Sequence, residues 1–441
     1  MLNQEQIVSD IIEAASGKNI WVAYSGGVDS HVLLHLLATA KIKSYASIYA
    51  IHIDHGLNSQ SHQWTQHCST VAAELSVEFI SVKVSVENIE SLGMEAAART
   101  ARYQALEDNL AKNDFLLTAQ HQHDQAETVL LQLLRGAGPK GLSAMAKTFQ
   151  LGETKVYRPL LSLSQADIVT YAKQHNLQWI DDPSNVETRW NRNYIRHTLW
   201  PEIALRWPSA EKTLSRSAEH CAEASELMAE LAEQDLMTLD CDKKSDSLSI
   251  SSLLKLSVSR QRNLLRHIFM WKNISLPSTV NLQRILDEVC LAKQDSMPMV
   301  SWSKIEIRRY QDTLFIMSPL PEHDETQVVE CQGGGDVAIN KSSILSWKVS
   351  DSQGVKKQVL TDGVIIRFRQ GGEHIQLQGQ QHHKSLKHLF QEWGIPPWQR
   401  GRIPLVFVGD ELVAVVGYCI SSTVAVDKGE VGYLPSLNIV K

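Results

Sequence analysis

One stretch limits what this chain can fold into: Trp21-Val22-Ala23-Tyr24-Ser25-Gly26-Gly27-Val28-Asp29-Ser30. The apolar run from Ile20 to Ala23 reads as a buried strand. Two glycines follow, and then Val32, Leu33, Leu36 and Leu37 recur at helical spacing. Strand, glycine turn and helix in that order place backbone N–H groups and a helix N-terminus at one point, which suits an anion. Gly26 and Gly27 let the backbone approach a phosphate with no Cβ between. Ser25 and Ser30 add hydroxyls. Asp29 would repel a bare phosphate, so its presence suggests a metal ion arriving with the phosphates, or an amine to be steered.

The turn has no lysine and is not a Walker A loop. Ser25-Gly26-Gly27-Val28-Asp29-Ser30 instead resembles the pyrophosphate loop of the N-type ATP pyrophosphatases, the PP-loop superfamily. That resemblance implies that ATP is cut between its α- and β-phosphates and that these six residues grip the leaving pyrophosphate. The plainer alternative is a Gly-Gly turn joining a core strand to a core helix; the serines and the aspartate in register favour the phosphate.

Strand and helix patterns alternate four times through residue 135. The strands are expected near 20–23, 47–53, 77–84 and 115–118, and a fifth near 156–160. This order predicts an α/β fold: a doubly wound parallel sheet with helices on both faces. Ligands of such sheets sit at the carboxyl ends of the strands. Ser25 to Ser30, His52 to Gly56 and Gln120 to Glu127 all fall there. A long helix over 210–235 marks a change of texture. Mainly helical sequence follows over 248–290, strands over 298–317, and a small α+β domain from about 357, with a hairpin turn at Gly409-Asp410.

His121-Gln122-His123-Asp124-Gln125-Ala126-Glu127-Thr128 carries two acids three apart at a helix start, so both carboxylates share one face. Complementing the helix dipole is one use for them; flanked by histidines at the mouth of the sheet, they read as a site for magnesium or an ammonium group. For His52 and His55, packing or backbone hydrogen bonding is preferred over metal ligation. Glu95, Arg99 and Arg102 recur at i, i+4 and i+7, and a solvated face and a phosphate contact are both open. Between Ser247 and Leu286 there is no acid but there are Lys255, Arg260, Arg262, Arg266, Lys272 and Arg284, which is either a solvated face or a phosphate patch.

Taken together, these motifs resemble the tRNA(Ile)-lysidine synthase family. The resemblance adds Arg135-Gly136-Ala137-Gly138, Arg158-Pro159-Leu160, Asp181-Asp182-Pro183-Ser184-Asn185, Arg192-Asn193-Tyr194-Ile195-Arg196, and near the end Lys384 to Glu392, Ile395-Pro396 and Trp398-Gln399-Arg400. It covers essentially the whole chain. One departure is His123, where the family often has a second aspartate before the one at Asp124. The resemblance implies a catalytic domain over 1–213, a helical tRNA-binding domain over 214–330 and a C-terminal tRNA-binding domain over 355–441. It implies that ATP adenylates the wobble cytidine of a CAU-anticodon isoleucine tRNA and that free L-lysine displaces AMP. Asp29, Asp124 and Glu127 are then the catalytic candidates, Asp29 first. Ser25 to Ser30 and Arg99 are the ATP contacts, and Asp29 and Asp124 the ligands of Mg2+. Arg192, Arg196, Arg260, Arg262, Lys384, Lys387 and Arg400 are the expected tRNA contacts. The expected partners are the tRNA, lysine and ATP, with no membrane and with a homodimer as the assembly to test.

Composition agrees with this and excludes rivals. The 441 residues carry a net charge of −6, so phosphate binding must come from local patches. No apolar run spans a bilayer, and the first residues form no secretory signal. Six scattered cysteines without a C-x-x-C pair fit a reducing cytoplasm. A tRNA thiolase on the same loop would need a sulfur carrier, and Cys68 is the lone cysteine of the first 200 residues. An amidating ligase would want an N-terminal cysteine nucleophile. A non-catalytic tRNA-binding module would not need Ser25, Asp29, Asp124 and Glu127 intact.

Overall fold

The computed structural model describes residues 2–40, 47–56, 60–87, 89–239, 247–293, 296–340, 343–378, 380 and 382–439. Leu57 and Cys241 lie outside the described residues. The chain divides into two compact units, Met1–Leu231 and Ala232–Lys441.

The first unit opens with α1 (Gln4–Ala15), then β1 (Asn19–Ala23), α2 (Val28–Thr39), β2 (Ile48–Asp54), α3 (Ser61–Glu74) and β3 (Glu78–Lys83). It continues with α4 (Met94–Asn109), β4 (Asp114–Leu117), α5 (Gln122–Leu134), β5 (Thr148–Leu151), β6 (Thr154–Tyr157) and α6 (Gln165–Gln174). The strands form one sheet in the order β3-β2-β1-β4-β6-β5. Every pairing is parallel except β5 with β6. Because the chain leaves β1 toward β2 and returns to β4 on its other side, the strand order reverses at β1. The crevice beyond the carboxyl ends of β1 and β4 is therefore where a ligand fits.

Period-two alternation fixes both faces of this sheet. Val22, Phe115 and Leu117 pack with Ile7, Ile11, Leu33 and Ile168 of α1, α2 and α6 on one side. Trp21, Ile51, Leu116 and Val156 pack with Leu106 of α4 on the other. The fifth expected strand is β6, ending at Tyr157. The sequence reading lacked β5, which hairpins onto it through Gly152 at φ +53°. Beyond α6, residues 191–206 run as Asn191–Tyr194, a π-helical turn Ile195–Leu199 and Trp200–Arg206, followed by the long helix Ala210–Thr238.

In the second unit, helix Val258–Trp271 packs Leu264, Leu265 and Phe269 against a four-stranded antiparallel sheet that contributes Leu248, Val300, Ile307 and Leu314. A five-stranded sheet follows, its central strands Val364–Arg367, Leu405–Val408 and Glu411–Val415. Helix Leu386–Glu392 buries Leu386, Leu389 and Phe390 in a core shared with Leu405 and Val415. Ser343–Asp351 pairs along its whole length with Val431–Ile439, so residues before 355 share a sheet with the last strand.

Candidate active site

The turn after β1 is closed by its own side chains. Ser30 Oγ accepts the Ser25 N–H at 3.2 Å and donates to the Gly27 carbonyl at 3.0 Å, and Ser25 Oγ lies 3.0 Å from it. Gly26 adopts φ +85°, and a Cβ there would sit 2.7 Å from Ile180 Cδ1 and 2.9 Å from Cys68 Sγ. Only glycine suits both constraints. Gly27, the N-cap of α2, is in ordinary extended backbone. Val28 and Asp29 begin α2, so the sequence motif forms a loop that runs directly into a helix N-terminus.

Across the crevice, α5 starts two residues earlier than its apolar pattern suggests, because His121 caps it. His121 Nδ1 accepts the His123 N–H at 3.2 Å, and Asp124 Oδ2 accepts the His121 N–H at 3.1 Å. With Nδ1 used as an acceptor, a neutral His121 carries its proton on Nε2. That nitrogen lies 3.6 Å from Asp29 Oδ1 and 3.5 Å from Asp124 Oδ2. His121 thus stands between the two acids, and the sequence reading, which named the acids, did not single it out. Burial raises the Asp29 carboxyl above its ordinary range; His121 opposes this and Asp124 adds to it. Asp29 Oδ1 is buried and accepts no hydrogen bond among the described residues.

Asp124 and Glu127 are held by Arg192 of the short helix Asn191–Tyr194 and by Arg196 of the π-helical turn that follows it. Arg192 donates to Asp124 Oδ1 at 2.8 Å and to Glu127 Oε2 at 2.8 Å; Arg196 donates to Glu127 Oε1 at 2.5 Å and to Asp124 Oδ1 at 3.1 Å. His123 completes the group, with Nε2 3.1 Å from Glu127 Oε1 and Nδ1 2.6 Å from Glu211 Oε1. Glu127 is fully buried. Burial alone would raise its carboxyl, but His123 and the two arginines outweigh that and hold it at about 2. Burial would lower His123, and its two carboxylate partners push it up to about 9 instead. Arg192 and Arg196, expected as tRNA contacts, thus sit on the expected catalytic acids.

The remaining wall is basic. Arg99 is exposed with its guanidinium 4.9 Å over the Tyr103 ring. Arg102 reaches His55 Nε2 at 3.3 Å, and burial together with this cation lowers His55 to about 4. His52 Nδ1 bonds the Tyr24 carbonyl at 2.9 Å, as the packing reading expected. Buried Arg158 donates to Gln120 Oε1 at 3.0 Å and the Ala146 carbonyl at 2.5 Å.

Over 94% of its length the chain is 41% identical to the tRNA(Ile)-lysidine synthase of Coxiella burnetii strain RSA 493, covering 92% of that protein. It is 39% identical to the enzyme of the same name from Pectobacterium atrosepticum, over 94% of this chain and 93% of that one. The Legionella pneumophila strain Lens relative, also so named, is 39% identical over 92% of both chains. The chain belongs to the tRNA(Ile)-lysidine synthase family.

Three family models divide it accordingly: a PP-loop domain over residues 2–203, a TilS substrate binding domain over 248–315 and a TilS substrate C-terminal domain over 364–437. The first contains every residue of the site described above except Glu211. The other two contain the remaining expected tRNA contacts of this lysidine synthase relative, and most of these have protein partners. Arg260 pairs with fully buried Asp235, and Arg262 donates to Gln283 at 2.5 Å. Lys384 lies 3.1 Å from Glu392. Arg400 donates to the Ile395 carbonyl at 2.8 Å and the Tyr310 hydroxyl at 2.9 Å. Lys387 is exposed.

Proposed function

We propose that the chain forms lysidine on an isoleucine tRNA bearing a CAU anticodon, using ATP and free L-lysine. The observation that carries this reading is identity across all three family domains combined with an intact pyrophosphate loop facing an acid–histidine–acid cluster. An oxygen is a poor leaving group until it is a phosphate ester. The wobble cytidine's ring carbonyl oxygen therefore attacks the α-phosphorus of ATP and pyrophosphate departs. The ε-amine of lysine then adds to the activated ring carbon, loses a proton, and AMP leaves with the oxygen.

Ser25, Gly26, Gly27, Val28 and Ser30 bind the departing pyrophosphate through the N–H groups of the turn, where charge accumulates. Arg99, exposed on the same wall, adds a positive charge for the phosphates. Asp29 is the carboxylate with an unused oxygen, and its burial favours a cation partner over an anion. That donor fits Mg2+ held by one carboxylate and by substrate phosphates; bound there, the ion would neutralise charge on the triphosphate. Asp124, already on two guanidinium groups, has less to offer a metal. Asp124 and Glu127 serve the reaction by fixing Arg192 and Arg196 at the rim. Lysine is charged at neutral pH, so a base must take its proton; Asp29 and Asp124, with His121 Nε2 between them, are the groups in reach of the crevice.

Lys387, Arg260, Arg262, Lys384 and Arg400 lie in domains whose family names refer to substrate, which supports tRNA binding there. We keep the limits 1–213, 214–330 and 355–441 for the three functional parts, and a homodimer as the assembly that light scattering would test. No described helix is long and apolar enough to cross a membrane, and the described cysteines are unpaired, which fits a reducing cytoplasm. The reading is tested by AMP release: it should require the tRNA and lysine together, and release from ATP with neither present would count against it.

A further inference from the structure

We propose that His123 is a positioning residue: its imidazole bridges Glu127 and Glu211, and so ties Glu127, Arg192 and Arg196 to the first turn of the long helix Ala210–Thr238. This rests on the lysidine reading above for its activity readout.

Both ring nitrogens face carboxylates, Nε2 at 3.1 Å from Glu127 and Nδ1 at 2.6 Å from Glu211. Neither nitrogen has an N–H to receive, so both donate and the ring is an imidazolium. The edge of Trp200 packs on it with ring centroids 4.6 Å apart, which fixes its orientation. His123 is itself buried. Charges in the cluster then balance: Asp124, Glu127 and Glu211 against Arg192, Arg196 and His123. A buried carboxylate that loses one partner keeps its desolvation cost and seeks another. Without His123, Glu127 would pull on the two arginines differently, and Glu211 would be left facing an acid. Glu211 has no counterpart in the local sequence pattern around the site, 88 positions away.

The test uses four full-length proteins: wild type, His123→Asp, Glu211→Lys and the double variant. His123→Asp puts a third acid beside Glu127 and Glu211; the double variant restores the balance with the signs exchanged. Lysidine formation is measured per folded molecule, with KM for ATP and the thermal midpoint for each protein. The proposal expects His123→Asp to lower kcat about a hundredfold, the scale of a catalytic group displaced by about 1 Å. KM for ATP should stay within about twofold, because the glycine turn is untouched. The double variant should recover at least about tenfold of that loss, and its thermal midpoint should exceed the sum of the single effects. Wild-type kcat in His123→Asp, or a double variant no better than the single, would overturn the proposal while leaving the lysidine reading intact. If wild type itself forms no lysidine, that reading falls, and the coupling in thermal midpoints alone then decides whether the bridge exists.

Discussion

His121 Nε2 lies 3.6 Å from Asp29 Oδ1, joining the start of α2 to the cap of α5 across the mouth of the sheet. The same ring does two jobs: Nδ1 caps the helix and Nε2 faces the crevice. The jobs separate by mutation. Asparagine is a good N-cap but cannot extend to Asp29. His121→Asn should therefore keep the thermal midpoint near wild type and still lose most activity, on the scale of about 10²-fold for a lost proton-carrying group. His121→Ala should lose the activity and also about 1 kcal/mol of stability. Calorimetry and single-turnover kinetics on the two variants would distinguish these outcomes.

Asp29→Ala should abolish AMP formation while tRNA binding survives, because the tRNA contacts proposed above are carried by other residues. Filter binding and AMP release measured on the same preparation test this. Normal turnover in the variant would remove Asp29 from the chemistry.

Gly26 and Gly27 should differ. A Cβ on Gly26 meets Ile180 and Cys68 at under 3 Å and needs a left-handed backbone. On Gly27 its nearest neighbour is Ser25 Oγ at 3.5 Å. Gly26→Ala should cost on the order of 1–3 kcal/mol and raise KM for ATP. Gly27→Ala should fold like wild type. Equal unfolding midpoints for the two variants would contradict the geometry.

The ion cluster sets a pH window for the stability of the first unit. Glu127 is held at about 2 against an ordinary 4.5, so its contribution is complete above 4.5 and disappears as pH falls toward 2. His123 is raised from 6.5 to about 9, so its contribution is complete below 6.5 and is lost as pH rises through 9. Denaturant midpoints should therefore be flat between and fall on both sides. In Glu127→Gln the acid-side fall should shrink.

Arg260 and Lys387 were both expected to contact tRNA phosphates, and their surroundings separate them. Arg260→Ala strands the buried Asp235 carboxylate, so it should lower the thermal midpoint of the second unit as well as tRNA affinity. Lys387→Ala should leave the midpoint alone and reduce the salt slope of tRNA binding by about 1.

Much of the fold was readable because its signals are local. Ile20 to Ala23, the two glycines and the helical spacing of Val32 to Leu37 announce strand, turn and helix within one short window. Ser164 marks the cap of α6, and its hydroxyl accepts the Asp167 N–H at 3.1 Å. Gly409-Asp410 marks a hairpin that does form. Short β5 has no such signal, since Thr148-Phe149-Gln150-Leu151 is half polar and becomes a strand only by pairing with β6. The acids of the site were legible from their spacing, but their partners were not. Arg192 and Arg196 looked like free cations in sequence, and no local pattern says that Asp124 and Glu127 will claim them. His123 and Glu211 meet only once the long helix is packed.

The most direct test of the central claim is nucleoside mass spectrometry. An isoleucine tRNA transcript with a CAU anticodon is incubated with the protein, ATP, magnesium and lysine, then digested. The account predicts a cytidine heavier by one lysine less water, dependent on both ATP and lysine. An unmodified cytidine, alongside pyrophosphate release with a different acceptor, would keep the ATP-cleaving domain and contradict the assignment of lysidine as its product.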